Sequence, residues 1–210
     1  MMNIAVTQRL MLNDCYHELR EALDTRWSLL FDELNFLPII LPIEYDFKKY
    51  FENIKIDGIV LTGGNDLNSL NSSDESLQRD IFEKELIKYA IQNNIPILGV
   101  CRGMQIIAEY FGADFIKAKD QVAVTHSIKV NKESKYFNEL SKLNDVNSFH
   151  NYAIKNISDD FLISSTTSDG MIKAIEHKKH KIFGQMWHSE REEHFDINEL
   201  NLIKVFFNDK

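Results

Sequence analysis

The chain has 210 residues, 44% of them hydrophobic, which is enough to bury a full core and suits a single domain over residues 1–210. Its formal net charge of −8 argues against a nucleic-acid partner, because phosphate backbones repel acidic proteins. No run of about 18 apolar residues predicts a membrane span and no basic segment before an apolar run predicts a signal peptide, so we expect a cytoplasmic protein.

The first half of the chain alternates short apolar runs with amphipathic segments, as α/β proteins do. The run "IPILGV" at 95–100 is continuously apolar, which is typical of a strand buried on both faces of a parallel sheet. Helical apolar spacing predicts helices over 14–35 and 78–93, with Ile81 on the apolar side of the second. In chain order we predict strand 3–8, helix 14–35, strand 36–42, helix 46–54, strand 56–64, helix 78–93, strand 95–100 and helix 103–111.

After residue 113 the segments become shorter and more β-like, before a C-terminal helix over 197–207. We therefore predict an α/β fold: a mostly parallel central sheet with helices on both faces, plus a small β-rich C-terminal portion. The β-like segments lie at 123–130, 145–156, 161–167, 171–177 and 181–188.

The stretch "GVCRGMQII" places Cys101 between Gly99 and Gly103, where a predicted strand meets a predicted helix. This G-x-C-x-G pattern follows the logic of the nucleophile elbow, in which a sharp turn lifts the nucleophile above the sheet edge. The N-terminus of the helix would favour the thiolate of Cys101, and the backbone N–H of Arg102 could hold an oxyanion. A buried structural cysteine is the alternative that this stretch alone leaves open.

A histidine and a glutamate, His188 and Glu190, stand two residues apart after the strand-like run "KIFGQMW". In an extended segment such residues project to the same side, so Glu190 can accept a hydrogen bond from one imidazole nitrogen while the other faces Cys101. Nucleophile, base and orienting group would then be complete. A surface histidine beside the charged run "SEREE" is the alternative.

A double glycine ends the strand predicted over 56–64, in the sequence "LTGGND". Such a loop can aim a backbone N–H at a developing negative charge, and Gly64 is the candidate for a second oxyanion donor. A plain turn is the alternative interpretation of this loop.

Together these features resemble a class I glutamine amidotransferase domain, and within that family the freestanding γ-glutamyl hydrolase branch. The similarity covers nearly the whole chain and includes the loop "GGNDLN", the run from Arg79 to Gln105, the strand "VNSFHNYAI" and the final histidine–glutamate pair. Two positions depart from the family pattern. Ser189 stands where a proline usually separates the histidine from the glutamate, and Gln185 lies one place before the usual glutamine.

The resemblance implies a flavodoxin-like fold and a cysteine hydrolase that needs no metal or cofactor. Cys101 attacks the γ-carbonyl of a γ-glutamyl amide, and the N–H groups of Gly64 and Arg102 stabilise the oxyanion. His188, oriented by Glu190, protonates the departing nitrogen, and water then hydrolyses the γ-glutamyl thioester to glutamate. The resemblance also assigns four residues to substrate binding: Asn65, Gln105, Ser148 and His150.

Arginines near the start of the chain offer a contact to the leaving group. Arg20, Asp24 and Trp27 recur at helical spacing, which favours an intrahelical salt bridge beside a core tryptophan. The alternative is that Arg20 or Arg26 reaches a phosphate, whose oxygens match a planar guanidinium, and Arg26 is our candidate for this substrate contact.

Several substrates fit the resemblance. The chain is similar to the γ-glutamyl-CDP-amidate hydrolases of capsule polysaccharide biosynthesis, which implies release of glutamate and cytidine diphosphoramidate. The alternatives are a γ-glutamyl-γ-aminobutyrate hydrolase, or a glutaminase subunit that delivers ammonia to a separate synthase. A non-catalytic binding module of the same fold is a further alternative, against which the retained cysteine, histidine and glutamate argue. We expect a small-molecule γ-glutamyl conjugate as the partner, without nucleic acid or membrane, bound by a monomer or a homodimer.

Overall fold

The structure is a computed structural model that describes residues 1–13, 15–119 and 121–208, and it has an α/β fold. The described strands are β1 (Met2–Val6), β2 (Arg9–Leu12), β3 (Leu19–Ala22), β4 (Phe36–Ile40), β5 (Gly58–Leu61), β6 (Ile97–Val100), β7 (Asp114–Lys117), β8 (Val122–Ser127), β9 (Lys129–Val130), β10 (Asp145–Phe149), β11 (Tyr152–Asn156), β12 (Phe161–Thr166), β13 (Ile172–His177) and β14 (Ile182–Gln185). The described helices are α1 (Arg26–Leu34), α2 (Lys48–Asn53), α3 (Asp74–Gln92), α4 (Arg102–Tyr110), α5 (Phe137–Leu140) and α6 (Ile197–Asn208), with a 3₁₀ turn at Ser189–Arg191.

In the described part of the chain, the central sheet has eight strands in the order β4-β1-β5-β6-β14-β13-β12-β9. The first five strands run parallel, and the last three are added antiparallel. β5, β6 and β14 are buried along their whole length, as strands covered on both faces must be. The predicted mostly parallel sheet is confirmed, and part of the β-rich C-terminal portion extends this sheet.

The helices pack in two groups. In one, α6 contacts both α1 and α5, while α1 also contacts β4; in the other, α3 contacts α4, which lies on β5, β6 and β14. Glycine gives room where an element comes close to a strand, because a Cβ at Gly58 would overlap the ring of Phe207. None of the helices within the described residues has the length and hydropathy of a membrane span.

The predicted helix over 14–35 is wrong in its first half, where β3 forms and pairs with β2 as a hairpin. The helix begins at Arg26, whose N–H donates to the carboxylate of Asp24 (2.9 Å). Leu19, placed by the helical spacing on an apolar face, is 37% exposed. The spacing misled because the segment pairs with β2, and local periodicity carries no information about a pairing partner. Asp14 lies outside the described residues.

Helix α3 is longer than its sequence pattern predicts, and its buried face is more polar. It begins at Asp74, where Ser73 caps it by accepting a hydrogen bond from the Ser76 N–H (3.1 Å). Ile81, predicted on the buried side, is 58% exposed. The inner face near the helix start is formed by charged residues instead, namely Arg79, Asp80 and Glu83.

Candidate active site

Three loops that follow neighbouring parallel strands meet at one edge of the sheet. β5 runs into the double glycine at residues 63–64, β6 into Cys101, and β14 into the segment that carries His188. Because the carboxyl ends of adjacent parallel strands lie at the same edge, the topology brings these distant pieces of sequence together.

Cys101 occupies a strained turn between β6 and α4. Its φ is 53° and its ψ is −104°, a conformation that non-glycine residues rarely adopt. The turn is fixed from both sides, because the Cys101 N–H donates to the Gln185 carbonyl (2.8 Å) and a Cβ at Gly103 would overlap the Leu61 carbonyl. The backbone therefore has the sharp strand–turn–helix geometry of a nucleophile elbow, with Cys101 only 7% exposed.

His188 and Glu190 form a buried pair, with Nδ1 of His188 2.5 Å from Oε1 of Glu190. This contact places the Nδ1 proton towards the carboxylate and leaves Nε2 for a second partner. Burial lowers the pKa of His188, but the negative charge of Cys101 and the interactions with Glu190 outweigh burial and raise this pKa to about 10. The pair therefore places positive charge on a ring that interacts with Cys101.

Asn147, to which sequence reasoning gave no function of its own, holds the backbone of His188. Its Nδ2 donates to the His188 carbonyl (2.8 Å), and its Oδ1 accepts from the His188 N–H (2.8 Å). The ring itself packs against Gly63, where a Cβ would lie 2.7 Å from Cε1 of His188. The imidazole is thus positioned by contacts to both its backbone and its ring. A polar residue just before Ser148 in the family-like strand was the available signal.

The glycine loop is held by the buried guanidinium of Arg79. This group donates to the carbonyls of Thr62 (2.8 Å) and Gly63 (2.9 Å). Since the Gly63 carbonyl and the Gly64 N–H belong to one planar trans peptide, that N–H points away from Arg79. Gly64 has a φ of 124°, and a Cβ there would lie 2.7 Å from Cβ of Arg9, so glycine is required. Arg102 begins α4, where backbone N–H groups lack partners within the helix.

A buried ionic network joins the glycine loop to the elbow helix. Glu83 accepts from Nε of Arg79 (3.0 Å) and from the guanidinium of Arg102, which also pairs with Asp80. Thr7 donates a further hydrogen bond to Glu83 (2.7 Å). Burial raises the pKa of Glu83, but the two guanidiniums outweigh it and lower this pKa, so the carboxylate stays ionised. The buried charged residues of α3 therefore hold in place the two segments that carry the predicted oxyanion donors, Gly64 and Arg102.

We expect Glu83→Gln to destabilise the protein by about 3–5 kcal/mol, because two buried guanidiniums lose their shared counter-charge. Equilibrium unfolding in urea measures the change. Glu85→Gln, on the exposed side of the same helix, is the matched control and should leave stability within about 0.5 kcal/mol of wild type. Equal stability of the two variants would contradict a supporting function for the network.

Three of the residues predicted to bind substrate lie in one buried cluster. Gln105 Nε2 donates to the Tyr152 carbonyl (2.9 Å), and Nδ1 of His150 lies 3.0 Å from the same oxygen. Ser148 contacts Lys173 Nζ (2.9 Å), which also lies 3.1 Å from Nε2 of His150. The four residues lie far apart in sequence, on α4, on β10, in the turn after β10 and on β13. The fold brings them together.

Asn65 and Arg26 are predicted to bind substrate, but in the structure both form hydrogen bonds to backbone groups of the protein. Asn65 bonds the backbone of Leu10 through both its amide nitrogen (2.8 Å) and its oxygen (3.0 Å), which anchors the hairpin. The Arg26 guanidinium donates to backbone carbonyls after His188, including Glu190 (3.3 Å), and lies 4.9 Å from the ring centroid of Phe195. These contacts brace the segment beyond His188, so they give no support to a leaving-group contact by Arg26.

The predicted helical face of Arg20, Asp24 and Trp27 is wrong, because Arg20 lies on β3 and Asp24 precedes α1. Arg20 is exposed and pairs with Glu18. Its guanidinium also donates to the hydroxyl of Tyr16 (2.7 Å). An intrahelical salt bridge could not form once the segment adopted the hairpin.

An open cavity lies beside His188. It is bounded by the hairpin, the start of α1, the glycine loop and the 3₁₀ turn, and two of its lining residues are the arginines Arg9 and Arg191. Arg191 also lies 4.5 Å from the ring centroid of Phe149. Asp24 and Glu190 are the acidic residues in the lining. A cavity with two guanidiniums next to His188 can accept an anionic group.

Comparisons with known proteins agree with this architecture. The chain matches the Peptidase C26 family over residues 4–190. It is 38% identical over 209 residues to a γ-glutamyl-CDP-amidate hydrolase of Campylobacter jejuni, with 98% of both chains covered. The fold is similar to that of a Thermoplasma acidophilum protein described as a GMP synthase subunit, with a TM-score of 0.74, 26% identity, and 99% of this chain and 92% of that chain covered. A glutamine amidotransferase from Thermotoga maritima shares the fold with a TM-score of 0.65, at 17% identity over 90% of this chain and 76% of that one.

Proposed function

Since the chain belongs to the Peptidase C26 family and is a hydrolase, we propose that it cleaves the γ-glutamyl amide bond of a small-molecule conjugate with a Cys101–His188–Glu190 triad. The observation that carries the proposal is a strained cysteine turn at the same edge of the sheet as the buried His188–Glu190 pair. A structural cysteine would need neither the strain nor the paired histidine. We also propose that residues 1–210 act as one domain in the cytoplasm.

In the first step, the Cys101 thiolate attacks the γ-carbonyl carbon and forms a C–S bond. The negative charge that moves to the carbonyl oxygen is stabilised by the N–H groups of Gly64 and Arg102. The Arg79 contact to the Gly63 carbonyl supports this assignment, because it fixes the direction of the Gly64 N–H before substrate arrives. Preorganised donors cost no reorganisation during the reaction.

In the second step, the C–N bond breaks and the proton on Nε2 of His188 passes to the departing nitrogen. Glu190 holds the ring through Nδ1 throughout, so the other nitrogen stays directed at the reacting atoms. His188, now neutral, removes a proton from water, which attacks the γ-glutamyl thioester. The C–S bond breaks, glutamate leaves, and the thiolate–imidazolium pair is restored. None of these steps requires a metal or a cofactor.

We propose γ-glutamyl-CDP-amidate as the substrate, with cytidine diphosphoramidate as the released product. The relative in Campylobacter jejuni with this activity in its name supports the assignment. The cavity beside His188 supports it independently, because Arg9 and Arg191 suit a diphosphate better than the single carboxylate of γ-aminobutyrate.

A glutaminase subunit that supplies ammonia to a separate synthase is the second candidate. A glutamine-hydrolysing GMP synthase subunit of Thermoplasma acidophilum is 32% identical over 137 residues, which cover 65% of this chain and 64% of that one. Hydrolysis of γ-glutamyl-γ-aminobutyrate is the third candidate, since it requires the same attack on the same carbonyl.

Glutamate release by the purified chain separates these functions. L-Glutamine, γ-glutamyl-γ-aminobutyrate and γ-glutamyl-CDP-amidate are offered side by side at equal concentration. We expect rapid turnover of γ-glutamyl-CDP-amidate and little of glutamine. Preference for glutamine, or activity that appears only when cell extract is added, would instead identify a glutaminase subunit.

A further inference from the structure

Lys173 on β13 is a buried cation that pairs with no carboxylate among the described residues. Its side chain is 0% exposed. Its Nζ lies within hydrogen-bonding distance of Ser148 Oγ (2.9 Å), His150 Nε2 (3.1 Å) and Gln121 Oε1 (3.2 Å). A hydroxyl and an amide carry no charge, so only His150 could change the charge balance of this cluster.

His150 is neutral, so none of the described groups that contact the Lys173 ammonium carries a negative charge. Its Nδ1 faces the Tyr152 carbonyl (3.0 Å) and must donate, so Nε2 accepts a hydrogen bond from Lys173. Burial, with the charge of Lys173, lowers the pKa of His150 to about 3. Burial lowers the pKa of Lys173 as well, to about 8, while the more distant charges of Cys101 and Asp169 oppose this shift. At neutral pH the cluster therefore holds one positive charge.

An unpaired buried charge is costly, and it persists where it has a function. The Lys173 cluster is linked to the cysteine turn by a short series of contacts. Gln105, whose N–H donates to the Cys101 carbonyl (3.1 Å), shares the Tyr152 carbonyl with His150. A γ-glutamyl group attached to Cys101 carries its α-carboxylate three carbons beyond the carbonyl, and the charge of Cys101 itself already acts on the Lys173 ammonium.

We propose that Lys173 binds the α-carboxylate of the γ-glutamyl group, with the Ser148 hydroxyl as a second donor. The carboxylate takes the place of the Gln121 oxygen as a partner of the ammonium, while His150 and Ser148 keep Nζ in position. Lys173 thereby selects γ-glutamyl amides over amides without an α-carboxylate. This inference rests on the proposed function, because it requires the γ-glutamyl group to occupy the site.

The test compares a γ-glutamyl amide with its α-carboxamide counterpart, which differs only in the group that Lys173 would contact. The amide used is whichever of the three conjugates the wild type hydrolyses. We expect wild-type kcat/KM to fall by roughly 100-fold on the carboxamide, as loss of one buried charge pair predicts. Similar rates on both substrates would overturn the inference.

Lys173→Met separates binding from folding. The variant should lose roughly 100-fold in kcat/KM on the carboxylate substrate and little on the carboxamide, so that its discrimination approaches one. An equal loss on both substrates would assign Lys173 a structural function and overturn the inference. Lys155→Met, at an exposed position of β11, is the matched control and should discriminate like wild type. Far-UV circular dichroism and thermal unfolding confirm that each variant folds.

A binding experiment keeps this inference distinct from the proposed function. In the Cys101→Ala background, L-glutamate should raise the Tm, whereas L-isoglutamine, with an α-carboxamide, should not. Adding Lys173→Met should abolish the response to L-glutamate. Equal responses to both compounds, or to neither, would reject the carboxylate site. Failure of wild type to hydrolyse any conjugate would reject the proposed function through a separate readout.

Discussion

Replacing Cys101 with alanine should abolish glutamate release, with a loss of roughly 10⁴–10⁶-fold in kcat. Without the sulfur no thioester can form, and the remaining oxyanion donors and His188 can act only on direct attack by water. Cys101→Ser should be nearly as inactive, because a hydroxyl is not ionised beside an imidazolium as a thiol is. Initial rates on the preferred conjugate at saturating substrate measure both losses.

The second cysteine provides the matched control for this experiment. Cys15 is exposed in the turn of the hairpin, and Cys15→Ala should retain wild-type activity. Iodoacetamide should inactivate wild type and Cys15→Ala alike, and mass spectrometry of Cys15→Ala should locate the modification at Cys101. Retention of glutamate release by Cys101→Ala would return Cys101 to a structural function and reject the thioester mechanism.

The sequence carries enough information to predict the strand–turn–helix at Cys101, because its pattern is local. Gly99 and Gly103 leave room for the sharp turn, and the continuous apolar run before them is typical of a central parallel strand. The fold class follows from the same kind of pattern, repeated along the first half of the chain. The placement of His188 beside Cys101 then depends only on β14 lying next to β6.

Features that depend on distant partners could not be predicted in this way. Strand β3 lies within the helix predicted over 14–35, because local periodicity carries no information about its pairing with β2. Helical spacing could not predict the charged inner face of α3, because its counter-charge, Arg102, lies on another helix. The sequence did not predict a function for Lys173. The groups that contact a lone lysine in a strand, such as Ser148 on β10, are known only from the fold.

Activity should decline at high pH as His188 loses its proton. Burial lowers the pKa of His188, and the charge of Cys101 with the interactions of Glu190 raise it to about 10. The imidazolium that donates to the leaving group is therefore present below this pKa and lost as pH rises through about 10. We expect the alkaline limb of kcat near that pH, measured at saturating substrate in constant-ionic-strength buffers, because kcat reports groups of the substrate complex.

Glu190→Gln should move this limb to lower pH and reduce kcat by roughly 10³–10⁴-fold. The amide has the shape of the carboxylate but not its charge, so the pKa of His188 falls and the ring loses its preferred orientation. The exposed Glu193 offers a matched control, because Glu193→Gln removes an equal charge close in sequence and should leave both the rate and the pH limb unchanged. If Glu190→Gln lowered the rate without moving the limb, Glu190 would position the imidazole without stabilising its charge. An unchanged rate would remove Glu190 from the mechanism.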